Sequence, residues 1–312
     1  MKRDFLSLAD LTPAEIERLL ALASQLKQRH KGGESTPLLA GKALALLFDK
    51  PSLRTRASFE VGMYQLGGHT TYMHSQDVGL GVREPIKDVG RVLSRYYDGV
   101  MIRTFAHETV VELARAATVP VINGLTDLLH PCQILAALQT LHEHFGSIAG
   151  LHVAYIGDGN NVAHSWLLGA AQMGLRLAIA CPKGYQPDRA IVQQAQKVAE
   201  ETGAALWIVE DPQQAVKGAD VVYTDVWASM GQENEAAIRR EVFRPYQINT
   251  ALMAETPSHA VVMHCLPAHR GEEIIDEVLE SPRSLVFEEA ENRLHVQKAL
   301  LVFLLAPEGG HS

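Results

Sequence analysis

The sequence has few cysteines, few aromatic residues and no long apolar segment. Its 312 residues include only three cysteines, Cys132, Cys181 and Cys265, and 6% aromatic residues. Because the cysteines lie far apart without a CxxC pair, neither a disulfide framework nor a zinc knuckle is expected. The longest uninterrupted apolar run, residues 299–306, is far shorter than the ~20 residues that a membrane-spanning helix needs.

Positive charge is also scarce. Lysine and arginine number 28 against 36 aspartates and glutamates, which gives a net charge of −8. This balance disfavours general binding to nucleic acid or to an anionic membrane, although it leaves room for a local basic pocket. Asp4 and Asp10 lie where a signal peptide would need its apolar stretch. We therefore expect a reduced, cytoplasmic, soluble protein.

What the sequence does contain is typical of a globular enzyme. It is 47% hydrophobic and 21% charged, and at about 150 residues per domain its length predicts two domains. The first helix has strong start signals, because Thr12 can cap it, Pro13 suits its first turn and Glu15 completes a capping box.

Strands and helices then alternate through the first half of the chain. Apolar runs predict strands at 42–48, 69–73, 99–103 and 119–123, and helical patterns occupy 54–66, 86–96, 107–117 and 131–145. The pattern restarts after residue 146, where strands are predicted at 151–156, 175–180, 205–209, 221–224 and 260–264, and a last helix covers 289–305. This alternation predicts an α/β fold with two doubly wound parallel sheets and helices on both faces.

Ligands bind beyond the carboxyl ends of parallel strands, so the segments that follow the strands are the most informative. In the first of them, Ser52 is placed to cap a helix whose first turn also carries Arg54 and Thr55. Helix amides, hydroxyls and a guanidinium together suit a phosphate group. A capped helix with surface arginines is the alternative, and the local sequence leaves it open.

Two further segments that follow strands carry candidate residues. Arg103 ends one strand. After the next strand, His130 precedes a helix that starts at Pro131, and Gln133 lies in the first turn of that helix. An arginine in such a place is usually an ion-pair partner and a histidine a structural donor, so either interpretation stands on local sequence alone. The histidines of segment 142–144 resemble a metal motif, but positions i and i+2 do not share a helix face. No metal site is therefore predicted.

In the second half, the loop 157–161 invites a dinucleotide interpretation. That signal is weak, because Val162 occupies the third glycine position and no acid for a ribose ends the next strand. Asn161 remains able to offer its amide to a ligand. Asp225 and Cys265 each follow a strand; such a cysteine is usually a small hydrophobe, but beside an acid it is a candidate for proton transfer.

Taken together, these segments resemble the ornithine carbamoyltransferase family of the aspartate/ornithine carbamoyltransferase superfamily over nearly the whole chain. Segment 52–56 (SLRTR) is similar to the Ser-Thr-Arg-Thr-Arg motif of carbamoyltransferases, and 130–133 (HPCQ) to their His-Pro-x-Gln motif. Asp225 with 229–231 (SMG), and 264–267 (HCLP), are typical of the enzymes that act on ornithine.

The resemblance implies that carbamoyl phosphate and L-ornithine give L-citrulline and phosphate in arginine metabolism, without a metal or an organic cofactor. Whether the reaction serves arginine biosynthesis or arginine breakdown is left open, because the chemistry is the same in both. It implies a carbamoyl-phosphate-binding domain over 1–146, an ornithine-binding domain over 147–288, and a C-terminal helix in 289–312 that returns to the first domain. It also implies a homotrimer or an assembly of trimers.

The resemblance further assigns a role to each residue that matches a family motif. Implied contacts of carbamoyl phosphate are Ser52, Leu53 through its backbone, Arg54, Thr55, Arg103, His130, Gln133, Cys265 and Leu266 through their backbone, and Arg293. Implied contacts of ornithine are Asn161, Asp225, Ser229 and Met230. Implied catalytic groups are Cys265, Asp225, Arg103 and His130.

Two positions depart from the family pattern. Leu53 replaces the usual threonine of the motif, and Gly79 stands where the family commonly has a glutamine, for which Gln76 or Arg83 are candidate substitutes. These departures leave two alternatives to test: a weakly active paralogue that binds carbamoyl phosphate, and a carbamoyltransferase that acts on another amine such as putrescine.

Overall fold

The computed structural model describes residues 2–229, 231 and 233–306, which form two units. Met1–Gln139 and the returning segment that starts at Glu291 belong to the first unit, and Thr140–Ala290 form the second. Within the described residues, no helix has both the length and the apolarity needed to cross a membrane.

The first unit contains a four-stranded parallel sheet in the order β2-β1-β3-β4. Its strands are β1 (Ala43–Phe48), β2 (His69–His74), β3 (Gly99–Arg103) and β4 (Val121–Leu125). Its helices are α1 (Pro13–Lys31), α2 (Leu53–Gln65), α3 (Ser75–Val78), α4 (Ile86–Tyr96), α5 (His107–Ala116) and the start of α6 (Pro131–Phe145).

The second unit contains a five-stranded parallel sheet in the order β7-β6-β5-β8-β9. Its strands are β5 (His152–Ile156), β6 (Arg176–Ala180), β7 (Ala205–Val209), β8 (Val221–Thr224) and β9 (Val261–His264). Its helices are α7 (Asn161–Gln172), α8 (Arg189–Thr202), α9 (Pro212–Val216), α10 (Ala236–Phe243), α11 (Thr250–Ala254) and α12 (Asp276–Leu279), followed by the start of α13 (Val286–Leu305).

The local sequence explains most of these elements. The capping box at Thr12 and Glu15 is confirmed, and β3, β4, β5 and β8 are buried along their whole length. Strands that are buried on both faces belong to parallel sheets covered by helices on each side, so the predicted fold class is confirmed. Strand β4 begins two residues later than predicted, at Val121, because Pro120 has no amide hydrogen to donate to a sheet ladder.

The returning part of α13 packs into the first unit with a buried polar face. His295, Gln297 and Lys298 are each no more than 1% exposed. Burial, together with the positive charges of Lys298 and Lys27, lowers the pKa of His295 to about 4. The folded state therefore keeps this imidazole neutral at pH values where the unfolded chain protonates it.

The protein is expected to lose stability as the pH falls below the ordinary histidine pKa of ~6.5. The contribution of His295 to the free energy of unfolding is fully present above that pH. It is lost as the pH falls towards the pKa of His295 in the folded state. Between pH 7.5 and pH 5 the loss amounts to about 2 kcal/mol. Urea unfolding at both pH values should show the loss in the wild type and in His69→Gln, whose ring is exposed. An equal loss in His295→Gln would contradict the assignment.

Candidate active site

The candidate residues of the first unit lie at the point in the sheet where the strand order reverses, between β1 and β3. Strand β1 has β2 on one side and β3 on the other, so the loops that leave β1 and β3 part to opposite faces and open a crevice. The segment with Ser52 follows β1, and Arg103 is the last residue of β3. The two strand ends are joined by a hydrogen bond from the amide of Asp49 to the carbonyl oxygen of Arg103, at 2.8 Å.

Helix α2 begins at this edge with the predicted cap. Ser52 has an extended backbone, and its Oγ accepts from the amide of Thr55 at 3.2 Å. Thr55 is buried, Arg54 is half-buried and Leu53 is 79% exposed. The positive end of the helix dipole, two hydroxyls and a guanidinium thus stand at one strand end, which is an arrangement suited to a phosphate.

Arg293 of α13 reaches the same place from the far end of the sequence. Its Nη2 donates to Thr55 Oγ1 at 3.2 Å, and its Nη1 donates to Gln133 Oε1 in α6. Arg293 and Gln133 are at most 2% exposed. Three helices therefore contribute polar side chains to one buried cluster, and this cluster carries the positive charge of Arg293.

His130 stands before α6 and is also buried. Burial lowers its pKa well below the ordinary histidine value, and the positive charges of Arg293, Arg103 and Arg54 lower it further. At neutral pH the imidazole is therefore uncharged, so it can donate one hydrogen bond without adding to the positive charge. His130 thus lies within electrostatic reach of all three arginines.

In the second unit, the candidate residues follow β5, β8 and β9, which are neighbours in the sheet. Asp225 comes directly after β8, and Cys265 directly after β9. The thiol of Cys265 donates to Asp225 Oδ1 at 2.9 Å, and the amide of Val226 donates to the same oxygen at 2.8 Å. The predicted pairing of acid and thiol is thus present.

Asn160 orients Asp225. Its Nδ2 donates to Asp225 Oδ2 at 2.7 Å, while its Oδ1 caps α7 by accepting from the amides of Val162 and Ala163. Asn161 is the first residue of α7 and is half-buried. Asn160 was not among the predicted site residues, although an asparagine that precedes a helix is a recognised capping signal.

His264 ends β9 and is held by two hydrogen bonds. The amide of Leu266 donates to its Nδ1 at 2.8 Å, so the ring proton lies on Nε2 and is donated to Glu273 Oε1 at 3.0 Å. Asp225, His264 and Cys265 are close enough to hold a metal ion. Both ring nitrogens of His264 are already engaged, however, so this residue has no lone pair to offer a metal. No sequence signal had singled out Glu273.

The backbone at Leu266 has a φ of 54°, which is uncommon for a residue with a branched side chain. Such conformations persist where the surrounding structure enforces them, and they are concentrated at functional sites. The hydrogen bond from the Leu266 amide to His264 is part of that enforcement.

The loop after β8 is anchored by Arg239 of α10. This arginine donates from Nη1 to Asp158 Oδ2 and to the carbonyl of Trp227, both at 2.9 Å. Arg239 and Asp158 are at most 7% exposed. The loop continues to Ser229, which is half-buried, whereas the predicted ligand Met230 lies outside the described residues.

The departure at Gly79 has a structural reason. Gly79 ends α3 in the left-handed conformation, with a φ of 71°, and an added Cβ would lie 2.7 Å from the Cβ of Arg83. A glutamine would be strained at this position. Arg83 is exposed and donates to the carbonyl of Val78 at 3.1 Å.

Each of the two doubly wound α/β units carries polar groups at the point where its strand order reverses. This arrangement defines an enzyme of the two-domain α/β class. The family model for the carbamoyl-P binding domain of aspartate/ornithine carbamoyltransferase matches residues 3–143, and the model for its Asp/Orn binding domain matches residues 149–304. The chain belongs to the aspartate/ornithine carbamoyltransferase family.

Individual relatives match over nearly their full length. Ornithine carbamoyltransferase of Carboxydothermus hydrogenoformans is 57% identical over 97% of both chains. That of Anoxybacillus flavithermus is 55% identical over 97% of this chain and 96% of its own. The solved structure of ornithine carbamoyltransferase from Pyrococcus furiosus is 51% identical over 97% of both chains, with a TM-score of 0.95.

Proposed function

We propose that this protein transfers the carbamoyl group of carbamoyl phosphate to the δ-amine of L-ornithine, giving L-citrulline and phosphate. Relatives named ornithine carbamoyltransferase match 97% of the chain at 52–57% identity. Within the family, the choice of ornithine rests on one observation, the hydrogen bond between Cys265 and Asp225. It places a buried acid and a thiol together at two strand ends, where an amino group can be bound.

The first unit would hold the donor substrate. The amides at the start of α2, Ser52, Arg54 and Thr55 would bind the phosphate, and Arg103 would contact both the phosphate and the carbonyl oxygen. Gln133 would accept from the carbamoyl amine. Arg293 lies in this cluster through its hydrogen bonds to Thr55 and Gln133.

Attack on the carbonyl places negative charge on its oxygen. Thr55, Arg103 and His130 would donate hydrogen bonds to that oxygen. In a comparable acyl-transfer site, the loss of one such donor costs about 2.7–4 kcal/mol. His130 suits this role because it is neutral and buried. As the bond from carbon to the new nitrogen forms, the bond to the phosphate oxygen breaks, and the arginines stabilise the departing phosphate.

The second unit would bind the amino acid. Asn161, Asp225, Ser229 and Met230 would contact the α-amino and carboxylate groups of ornithine. The δ-amine has a lysine-like pKa of ~10.4 in water, and only its neutral form has the lone pair that attacks. Asp225 and Cys265, held together, would assist the loss of its proton. The carbamoyl group arrives already activated, so the proposed step needs neither a metal nor an organic cofactor.

A colorimetric assay for the ureido product tests the proposal. The purified protein is supplied with carbamoyl phosphate and, in parallel, with ornithine, putrescine or aspartate. Product with ornithine alone is expected, because putrescine lacks the carboxylate and the α-amino group that the second unit would bind. Product with putrescine or aspartate in its place would overturn the choice of acceptor, and no product with any amine would favour a binding protein.

We further propose that the enzyme works in the cytoplasm, in arginine biosynthesis, as a homotrimer or an assembly of trimers. A relative described as an anabolic ornithine carbamoyltransferase, from Campylobacter jejuni, supports the biosynthetic direction at 42% identity. The first unit also exposes large apolar side chains, among them Tyr64, Val82 and Tyr96, as subunit interfaces do. Sedimentation at the mass of one chain, 34.2 kDa, would refute the assembly.

A further inference from the structure

We propose that Gln297 is a positioning residue that orients the guanidinium of Arg293 while leaving its positive charge available to the phosphate of the donor substrate. The inference rests on the proposed function, because it assumes that Arg293 serves the carbamoyl-phosphate site. Gln297 lies in α13, one turn after Arg293, and is fully buried.

The guanidinium of Arg293 is held on several sides. Nη1 donates to Gln133 and Nη2 donates to Thr55. With its amide oxygen turned towards the guanidinium, Gln297 accepts from Nε at 3.1 Å and from Nη2 at 2.9 Å. Two hydrogen bonds to one oxygen restrain the plane of the guanidinium as well as its position.

Hydrogen-bond polarity determines this orientation of the amide. A guanidinium can only donate, so the Gln297 atom that faces Arg293 must be the oxygen. The amide nitrogen then lies 2.5 Å from Ser58 Oγ. Because Ser58 donates its single hydroxyl proton to the carbonyl of Arg54 at 2.6 Å, its oxygen accepts from Gln297. The chain of donors thus runs from α13 to the first turn of α2.

The chemistry of the site explains why an amide is suited to this position. A glutamate at position 297 could accept the same two hydrogen bonds, but its negative charge would offset that of Arg293 in a buried place where charges are poorly screened. A dianionic ligand would then meet less positive potential. A methionine of similar length would supply no acceptor at all and would remove two of the hydrogen bonds that restrain the guanidinium.

Two substitutions test the inference, Gln297→Glu and Gln297→Met. The dissociation constant of inorganic phosphate, measured by calorimetry, and the KM for carbamoyl phosphate are each expected to rise about tenfold or more in both variants. The KM for ornithine should stay within twofold of the wild type, because the substitutions lie in the first unit and leave the amino-acid contacts intact.

Coupling to Ser58 provides a readout that loss of packing would not reproduce. Ser58→Ala should weaken phosphate binding less than Gln297→Met does, because the amide keeps its bonds to Arg293. The double variant should bind phosphate no more weakly than Gln297→Met alone, since Ser58 acts through Gln297. Full additivity of the two effects would overturn the inference.

Lys298→Met is the matched control. Lys298 is the next residue of α13, is equally buried, and donates from Nζ to Gln65 Oε1 at 2.9 Å in the same helix α2. This variant should unfold more easily than the wild type but bind phosphate within twofold of it. If it weakens phosphate binding as much as Gln297→Met does, helix packing is responsible and the inference is wrong.

The calorimetric arm separates this inference from the proposed function. Suppose that the protein makes no citrulline from ornithine while both Gln297 variants still bind phosphate more weakly than the wild type. That result would support the positioning role of Gln297 in an anion-binding site and would reject the proposed carbamoyl transfer. Unchanged phosphate binding in both variants of an active enzyme would reject the inference alone. A wild type that binds no phosphate would reject the inference, and it would reject the proposed function as well if it also makes no citrulline.

Discussion

Arg54→Leu is expected to lower kcat/KM for carbamoyl phosphate by about 1,000-fold, mostly through KM. Arg54 is half-buried in the first turn of α2, and its charge contributes to the lowered pKa of the buried His130. The removal of an arginine from a buried phosphate contact costs about 4 kcal/mol, which corresponds to that factor. Steady-state kinetics with carbamoyl phosphate as the varied substrate would measure the loss.

Arg56→Leu is the control for total charge. Arg56 lies two residues further along α2, is exposed, and pairs with Glu60 at 2.9 Å while its guanidinium stacks on Tyr72. A surface pair of this kind contributes little, so this variant should keep its kcat/KM within twofold of the wild type. Equal losses in both variants would mean that the anion responds to the general charge of the helix rather than to Arg54.

Asp225→Asn should produce the second large effect, a fall of about 1,000-fold in kcat/KM for ornithine. In the wild type, both carboxylate oxygens accept hydrogen bonds, one from Cys265 and Val226 and the other from Asn160. An asparagine would turn an NH₂ group towards one of these donors, and it would remove the negative charge from the amine site. A charge pair or network that is broken by the loss of one partner costs several kcal/mol. The fall should appear in kcat as well as in KM, and the pH–rate profile should change shape.

Asp220→Asn controls for the loss of an acid next to the same strand, β8. Asp220 immediately precedes β8, at the opposite end from Asp225, and its Oδ2 accepts from the amide of His152 at 2.8 Å. This variant should be less stable but should keep the KM for ornithine and the shape of the pH–rate profile. If Asp225→Asn retained both of these as well, the proposed role of Asp225 would be wrong.

Local sequence was enough to predict those parts of the site whose signals lie within a few residues. Ser52 caps α2 and Pro131 opens α6 as predicted, because capping and proline preferences act within one turn. Leu53 and Gly79 stood out only against a family pattern, and the structure accounts for Gly79 by its left-handed backbone. Asn160 had a visible signal as a cap, but its bond to Asp225 joins two strand ends that are 65 residues apart in sequence.

The sequence by itself determined where the strands and the longer helices of the first half form, because apolar runs and helical periodicity are local patterns. It also marked the polar strand ends as candidate sites. Only the tertiary structure decided which of those ends meet. The strand order β2-β1-β3-β4 brings the segment that follows β1 to Arg103 at the end of β3, and the return of α13 brings Arg293 to Thr55 across 238 residues. Contacts of that kind arise from the burial of helix faces against sheets, which depends on the packing of the whole unit and leaves no local pattern to read.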